Sequence, residues 1–322
     1  MARWLIILGM ASGNIFESRL GSGVDVEGLI SRISVFYKLG SVHSFRAIEI
    51  GFEDFNVILE TGTGKWFVKI FSIERSAADV RRYVNIVEKV IEGGVSHPRL
   101  RGNPLLFHSQ DYNLYAVCMD YVEGNSFYKR SGPSAFELDK IMEQAVLLHA
   151  IDYKPAYIFD SWAVPNIDLL YGKVDSVQLG VLKPLIHKII SDYHQIDIER
   201  LSTCFVHGDI IKSNVIMSAG VPYIVDFSCA NTYPKIQELA VIAANLLAKT
   251  KHETFNERVN YVIKSYIKAG GILSTYEKKS TLPYAKAAVA MELLGSIYDE
   301  GGAEDETLYW RNLAEDSLLI IK

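Results

Sequence analysis

The sequence predicts an α+β protein in which an antiparallel sheet near the N-terminus is followed by a mainly helical part. Residues 45–71 hold three segments rich in β-branched and aromatic residues, and the last two flank a short turn that contains Gly62 and Gly64. Beyond Gly124, apolar residues recur instead at the spacing of amphipathic helices. At 322 residues the chain is long enough for two domains or for one large two-lobed unit.

The bulk composition excludes several classes of function. An apolar content of 49% is typical of a globular protein with a substantial core rather than of a disordered chain. The net charge of −5 argues against a nucleic-acid-binding surface. Because the three cysteines form no CxxC motif, a zinc site and a disulfide framework are both disfavoured. No stretch reaches membrane-spanning length, so we expect a cytoplasmic protein with neither membrane nor nucleic-acid partners.

Residues 1–40 are interpreted as an N-terminal extension and a leading helix. The first 13 residues combine one basic residue with a short apolar run, which faintly resembles a secretory signal but is too short to cross a membrane. Within residues 24–37, apolar side chains fall at helical spacing. The apolar positions of this predicted helix are Leu29, Ile30, Ile33 and Phe36.

Three strands are predicted next, at residues 45–50, 55–60 and 66–71, with a loop at residues 51–54. The turn sequence Gly-Thr-Gly-Lys at residues 62–65 is similar to the end of a phosphate-binding P-loop. That motif would need a glycine where Leu59 stands and a hydroxyl residue where Trp66 stands, so the turn is interpreted as a hairpin.

Lys69 lies inside the third strand, between apolar neighbours. A lysine is rarely buried without a partner, so either it has a function or the strand is an edge strand that directs it to water. A helix is predicted from Ser76, with Asp79 as a capping residue and glycines 93 and 94 at its end. Residues 114–124 read as a buried strand that ends in a short acidic segment and a glycine, as at a domain boundary.

A polar segment between short apolar runs is the most informative part of the sequence. The runs at residues 205–206, 215–217 and 223–225 predict buried strands, with a turn at residues 218–220. Asp209, Asn214 and Asp226 would then lie on loops at strand ends, where sites are usually built. Magnesium-dependent phosphoryl transfer needs a carboxylate for the attacking hydroxyl, plus an amide and a carboxylate for the metal. The alternative is a pair of turns held by local hydrogen bonds.

The segment His207-Gly208-Asp209, with Asn214 and the later pair Asp226-Phe227, resembles the catalytic loop of the aminoglycoside phosphotransferase and choline kinase group. These are small-molecule kinases related to protein kinases. Ser228 replaces the glycine of the kinase metal-binding loop, a departure that these enzymes commonly show. The resemblance covers roughly residues 41–320. It implies a two-lobed kinase-like fold with a nucleotide-binding lobe at 41–118, a hinge at 119–124 and a helical lobe at 125–322.

The resemblance also implies a role for each motif residue, with ATP and Mg²⁺ as cofactors and nucleotide between the lobes; GTP is not distinguished from ATP. Asp209 would accept the proton of a small-molecule hydroxyl, Asn214 and Asp226 would hold magnesium, and Lys69 would contact the α- and β-phosphates. The hinge residues would line or bind adenine, through Met119 at the back of its pocket and the backbones of Asp120 and Val122. The loop at residues 51–56 would cover the nucleotide.

The resemblance leaves several points open. Tyr83 stands where kinases of this type carry the glutamate that pairs with the strand lysine, so Asp79, Glu88 or no acid at all could be the partner of Lys69. The family often has an aspartate near Glu238 that supports the catalytic loop, although an exposed helix residue is the alternative. His207 is interpreted as a support for the loop. The acidic C-terminal segment suggests a cationic acceptor, but solvated helix faces and a loop are the commoner explanation.

The phosphoryl acceptor is therefore predicted only by class, as an aminoglycoside, amino alcohol or sugar-like molecule. A homoserine-type or choline-type metabolic kinase is the alternative among enzymes. A catalytically weak nucleotide-binding regulator is the alternative from another class, suggested by Tyr83 but disfavoured by the intact set of Asp209, Asn214 and Asp226. Tyr298, Tyr309 and Trp310 are candidates for the substrate cleft or for the core. The sequence does not predict the oligomeric state.

Overall fold

The computed structural model describes residues 19–21, 23–48, 54–108, 113–174, 176–252, 254–298 and 304–321. Residues 1–18 of the N-terminal extension and residues 51–53 of the predicted nucleotide-covering loop thus lie outside the described residues. The chain divides into two compact units, Met1–Glu88 with Pro98–Glu123, and Lys89–His97 with Gly124–Lys322. Among the described residues, no helix is both long and apolar enough to cross a bilayer.

The first unit contains the predicted antiparallel sheet. Its five strands follow the order β1-β2-β3-β5-β4, and every neighbouring pair is antiparallel. The strands are β1 (Val42–Ile48), β2 (Phe55–Thr61), β3 (Gly64–Ile70), β4 (Leu105–His108) and β5 (Asn113–Asp120). Alternate residues of β2 are buried, which is the expected pattern for a strand with one face on the core. The turn at Gly62 and Thr63 joins β2 to β3 as predicted, so the P-loop interpretation is excluded.

Two long helices in the part of the chain that the structure describes accompany this sheet in sequence. Helix α1 (Val26–Phe36) buries Leu29, Ile30 and Ile33 as predicted. Phe36 was expected on the same face but is 46% exposed, because it is the last helical residue and its ring packs edge-on against Tyr37 at the surface. Helix α2 (Ala77–Glu92) begins at the predicted capping residues, where the Asp79 carboxylate accepts from the backbone and hydroxyl of Ser76.

The second unit is mainly helical, as predicted. Its longer helices are α3 (Ala135–His149), α6 (Lys183–His194), α8 (Phe255–Lys268), α9 (Thr275–Tyr298) and α10 (Glu304–Leu319). The shorter ones are α4 (Ile167–Lys173), α5 (Ser176–Leu179) and α7 (Ile236–Val241), which continues into a π-helical turn at Ile242–Leu246. Single 3₁₀ turns occur at Val164–Asn166, Gly180–Leu182, Ile198–Arg200 and Phe227–Cys229.

Helix α9 begins at Thr275 and passes through Pro283. A proline inside a helix removes one backbone donor, yet the preceding turn is held by the Thr281 hydroxyl, which donates to the Glu277 carbonyl at 2.7 Å.

Short strands carry the polar segment that the sequence singled out. They are β6 (Asn125–Ser126), β7 (Thr203–Val206), β8 (Val215–Ser218), β9 (Val221–Ile224) and β10 (Asn231–Pro234). Strand β8 pairs with β6 and β9, and β7 pairs with β10, all antiparallel. The predicted turn between β8 and β9 consists of Ala219 and Gly220, both in the left-handed region.

Candidate active site

Asp209, Asn214 and Asp226 lie at strand ends, as the pattern predicts. Asp209 follows β7, Asn214 precedes β8, and Asp226 follows β9. Because β8 and β9 form a tight hairpin, the start of one strand and the end of the other come together, and the backbone N–H of Val225 donates to the carbonyl of Asn214 at 2.9 Å. The backbone thus ties the residue before Asp226 to Asn214.

Asn214 is locked directly onto Asp209. Its side-chain nitrogen donates to the Asp209 carboxylate oxygen Oδ2 at 2.7 Å and to the Asp209 carbonyl at 3.1 Å. Since both contacts require the amide nitrogen, the amide oxygen Oδ1 points elsewhere and accepts from the Ser213 hydroxyl at 3.1 Å. The side-chain oxygen of Asn214 is thereby oriented, while its side-chain nitrogen holds the carboxylate of Asp209.

Asp226 occupies a backbone conformation that few non-glycine residues adopt. Its φ of 66° and ψ of 71° are left-handed, a region in which aspartate and asparagine are tolerated best. Its Oδ1 accepts from the hydroxyl of Ser228 at 2.7 Å, so the residue that replaces the usual glycine holds the Asp226 carboxylate.

Phe227 anchors this turn in the core. Its side chain is fully buried and packs against the rings of Phe205, His207 and His97, with centroid distances of 6.5, 4.4 and 5.5 Å. The apolar anchor next to Asp226 explains how a strained backbone position is maintained.

His207 supports the loop and is not placed to transfer protons. Its Nδ1 accepts from the backbone N–H of Asp209 at 3.1 Å, and its Nε2 therefore carries the hydrogen that is donated to the Val225 carbonyl at 3.0 Å. Burial lowers the pKa of this imidazole to about 4, so that it is neutral near pH 7. The two bonds tie the loop of Asp209 to the segment that leads to Asp226.

Glu238 holds the same loop from helix α7. Its carboxylate is fully buried and accepts from the backbone N–H groups of His207 at 2.7 Å and Gly208 at 3.3 Å. Burial raises the pKa of Glu238 to about 8, although these N–H bonds act in the opposite direction. The expectation of a supporting acid fits this geometry, and the exposed alternative is wrong.

His149 lies beside Glu238 in the core, a contact that the sequence did not predict. Its Nε2 lies 3.9 Å from the Glu238 carboxylate, and its Nδ1 is 2.8 Å from the hydroxyl of Tyr266. Burial lowers the pKa of His149 to about 3. As the last residue of an ordinary amphipathic helix, His149 carries no local signal of this contact.

Lys69 in the first unit has a partner that the sequence analysis did not consider. It lies on the interior strand β3, between β2 and β5, with only 3% of its side chain exposed, so the edge-strand alternative is wrong. Its ammonium is 2.9 Å from the carboxylate of Asp54. Asp79 caps α2 instead, and Glu88 is exposed.

The hairpin register contained a signal for Asp54. Lys69 pairs across the sheet with Asn56, and Asp54 precedes Asn56 by two positions, immediately before the first residue of β2. Side chains in this diagonal relation are within reach of each other when one of them is long.

The predicted hinge residues lie at the end of β5. Met119 is buried and pairs with Phe67 on β3. The Asp120 N–H donates to the Arg99 carbonyl at 3.0 Å, so only the carbonyl of Asp120 could serve as an adenine contact. Val122 is partly buried beyond the end of the strand. The adenine-binding role of the three residues stays a prediction.

A family model described as the phosphotransferase enzyme family, APH, matches residues 44–261, which is more than half of the chain. The chain belongs to this family. It is accordingly a small-molecule kinase with a kinase-like fold. No curated protein sequence matches it.

Solved structures with the same fold share little sequence with this phosphotransferase. A spectinomycin phosphotransferase in complex with ADP and spectinomycin is 13% identical, with a TM-score of 0.64 and coverage of 92% of this chain and 98% of that one. A choline kinase from Streptococcus pneumoniae is 14% identical, with a TM-score of 0.62 and coverage of 92% and 99%. An aminopropanol kinase is 10% identical, with a TM-score of 0.67 and coverage of 90% and 95%.

The donor set of this phosphotransferase suits a hard divalent cation. In the described part of the chain, no three His, Cys, Asp or Glu side chains gather as a metal site. Asn214 and Asp226 instead offer an amide and a carboxylate oxygen, which are ligand types that Mg²⁺ accepts, and Mg²⁺ usually keeps water and substrate phosphates as its remaining ligands. The residues present therefore fit the metal that the family implies.

Glu292 on helix α9 is a further acid, and the negative charge of Asp209 influences the ionisation of Glu292. Burial raises the pKa of Glu292 to about 8, helped by the charge of Asp209, while a hydrogen bond from Asn245 acts in the opposite direction. Its Oε2 is buried and has no hydrogen-bond partner among the described residues.

The three aromatic residues considered for the substrate cleft or the core lie in different surroundings. Trp310 is buried in the core, Tyr309 packs against Tyr128, and Tyr298 is half exposed.

Proposed function

We propose that this phosphotransferase moves the γ-phosphoryl group of ATP to a hydroxyl of a small molecule, with Asp209 accepting the hydroxyl proton. The observation that carries the proposal is the lock between Asn214 and Asp209, in which one amide nitrogen holds the Asp209 Oδ2 at 2.7 Å. A base must be held in one orientation to meet its substrate, and here a neighbouring side chain does this.

Asn214 and Asp226 are proposed to hold Mg²⁺, which when bound neutralises charge on the β- and γ-phosphates. Lys69 is proposed to contact the α- and β-phosphates, with Met119, Asp120 and Val122 at the adenine. The protein contributes mainly position. Hydrogen bonds that involve the side chains of His207, Glu238 and Ser228 hold the loops that carry the Asp209 and Asp226 carboxylates.

The acceptor is proposed to carry an amine as well as a hydroxyl. Spectinomycin, choline and aminopropanol, named with the relatives above, are all nitrogen-containing alcohols. In this chain, Glu292 brings a carboxyl group near Asp209 with one oxygen left without a hydrogen-bond partner among the described residues. An ammonium group would supply that partner and favour the ionised form of Glu292.

The test is ADP release by the purified protein with Mg²⁺ and ATP, measured across a panel of hydroxyl compounds. The panel holds aminoglycosides, spectinomycin, choline, ethanolamine, homoserine, amino sugars and methylthioribose, each beside a neutral analogue without the nitrogen. Acceptor-dependent release that is lost in Asp209→Asn is expected for an amine-bearing class. Release with neutral analogues only would contradict the amine assignment.

A catalytically weak nucleotide-binding regulator remains the second candidate, because Tyr83 replaces the usual helix glutamate. The same assay separates the two candidates. Binding of nucleotide without ADP release on any acceptor would favour the regulator, and a protein that binds no nucleotide would contradict both.

A further inference from the structure

The pair of Lys69 and Asp54 is almost completely shielded from water. The side chains are 3% and 2% exposed, and the ammonium and carboxylate atoms are 2.9 Å apart. Because neither charge is solvated to any extent, the ion pair helps to compensate both of them. The position of the Lys69 ammonium is therefore coupled to the position of the Asp54 carboxylate.

Asp54 is itself fixed by its surroundings. Its Oδ1 accepts from the backbone N–H of Ser72 at 3.1 Å and lies 3.8 Å from the guanidinium nitrogen Nε of Arg75. Its carbonyl accepts from Arg19 at 3.1 Å. With one carboxylate oxygen and the backbone held, the other oxygen, Oδ2, is directed at Lys69.

Helix α2 does not provide the carboxylate that kinases usually take from this helix. Tyr83 presents the face of a ring to Lys69 at 5.6 Å, and Phe71 lies at 5.9 Å. Aromatic faces attract a cation but supply no full negative charge.

We propose that Asp54 is the positioning residue for Lys69, so that the ion pair required for nucleotide binding is made with the residue that precedes β2 rather than with helix α2. In kinases the strand lysine must be paired with an acid for the phosphates to be held correctly. The inference rests on the proposed function, because it assigns Lys69 to the phosphates.

The summed charge of Lys69, Arg75 and Asp54 agrees with a role of Asp54 in positioning Lys69 rather than in cancelling its charge. Lys69 and Arg75 contribute two positive charges against the single negative charge of Asp54. The three side chains together are thus cationic, which favours an anionic polyphosphate. An acid that cancelled the cationic charge would oppose phosphate binding.

The experiment measures the affinity for ADP with Mg²⁺ by titration calorimetry in the wild type and in Asp54→Asn. Asparagine keeps the shape of the side chain and removes its charge. The expected result is binding that is weaker by about tenfold or more, since small misplacements of a binding group have effects of this order. Unchanged binding would overturn the proposal, and tighter binding would show that Asp54 masks Lys69.

A rescue variant tests whether the acid acts through Lys69. In Asp54→Asn combined with Tyr83→Glu, the carboxylate is supplied from the helix, and both the thermal midpoint and the ADP affinity should return toward wild type. This variant also decides the matter if Asp54→Asn alone does not fold. A folded double variant without restored affinity would overturn the proposal.

Glu60→Gln serves as the matched control, because Glu60 pairs with Lys65 on the same hairpin but both side chains are about half exposed, at 48% each. It should leave ADP affinity unchanged, and an equal loss in this control would contradict the assignment to Asp54. Failure of the proposed function has a different signature, because the wild type itself would then bind no ADP.

Discussion

In the first unit Lys69 is fixed by the register of a regular sheet, whereas in the second unit Asp209 lies on an irregular loop that other side chains hold. The partner of Lys69 is two residues from its cross-strand neighbour. The supports of the loop that contains Asp209 come from Asn214 nearby and from Glu238 far along the chain.

The two regions also differ in their electrostatics. Lys69 and Asp54 form a buried ion pair, in which opposite charges compensate each other. Beneath the Asp209 loop, His207 and His149 are kept neutral by burial, and burial also favours the neutral form of Glu238. The stability of the loop support should therefore depend on pH.

The largest effect is expected in the second unit, from substitution of Asp209, the proposed catalytic base. Asp209→Asn should lower turnover by about 10²–10⁴-fold, the usual contribution of a positioned general base, while nucleotide binding stays largely intact. Acceptor-dependent ADP release and calorimetric titration measure the two properties separately. Near-normal turnover in this variant would remove Asp209 from the role of base.

Two substitutions of Asp226 distinguish the loss of a proposed metal ligand from the loss of a residue type that tolerates a left-handed backbone. Asp226→Ala and Asp226→Asn should both weaken binding of the metal–nucleotide complex, because both remove the carboxylate. Only alanine should also destabilise the fold, by about 1–2 kcal/mol, since asparagine tolerates the left-handed backbone of this position. Urea unfolding beside nucleotide titration tests this, and equal stability of the two variants would contradict the strain argument.

Glu238→Gln sharpens the electrostatic contrast. The pKa of Glu238 is raised from 4.5 to about 8 in the fold, so its neutral form contributes stability that is present below pH 4.5 and lost as the pH rises through 8. The variant cannot ionise and should gain stability relative to the wild type across this range, by at most a few kcal/mol at about 1.4 kcal/mol for each unit of pKa.

Thermal midpoints of the wild type and Glu238→Gln, measured from pH 5 to pH 9, provide the test. The histidines with lowered pKa act in the opposite sense, because their contribution is lost as the pH falls below 6.5. They are common to both proteins and cancel in the difference. Parallel pH profiles would show that Glu238 is ionised throughout.

The smallest effect is expected from substitution of Tyr266, whose hydroxyl is hydrogen-bonded to His149. Tyr266→Phe removes the hydroxyl bonded to His149 and should destabilise the second unit by about 1 kcal/mol, the typical net value of such a bond. Tyr261→Phe, at a partly exposed tyrosine of the same helix, is the matched control for urea unfolding. A loss no larger than that of the control would mean that the bond adds nothing to stability.

Much of this arrangement could be predicted from sequence, because it depends on local patterns. The α+β fold and the strand-end positions of Asp209, Asn214 and Asp226 follow from apolar runs, a hairpin and short loops. The contacts of His149 with Glu238 and Tyr266 could not, because no periodicity links residues so far apart in the chain. Asp54 is intermediate, since the hairpin register placed it near Lys69 although the resemblance pointed to the helix.

The π-helical turn at Ile242–Leu246 links the spacing of one helix to the geometry of the loop that contains Asp209. Its wide turn is closed by the Leu247 N–H, which donates to the Ile242 carbonyl, and it carries Asn245, whose side-chain oxygen accepts from the backbone of Lys212 at 3.0 Å. Deleting one residue here would convert the turn to an ordinary α-helix and rotate the residues that follow by about 100°. The loop of Asp209 thus tolerates many substitutions in this helix more readily than a single change in its length.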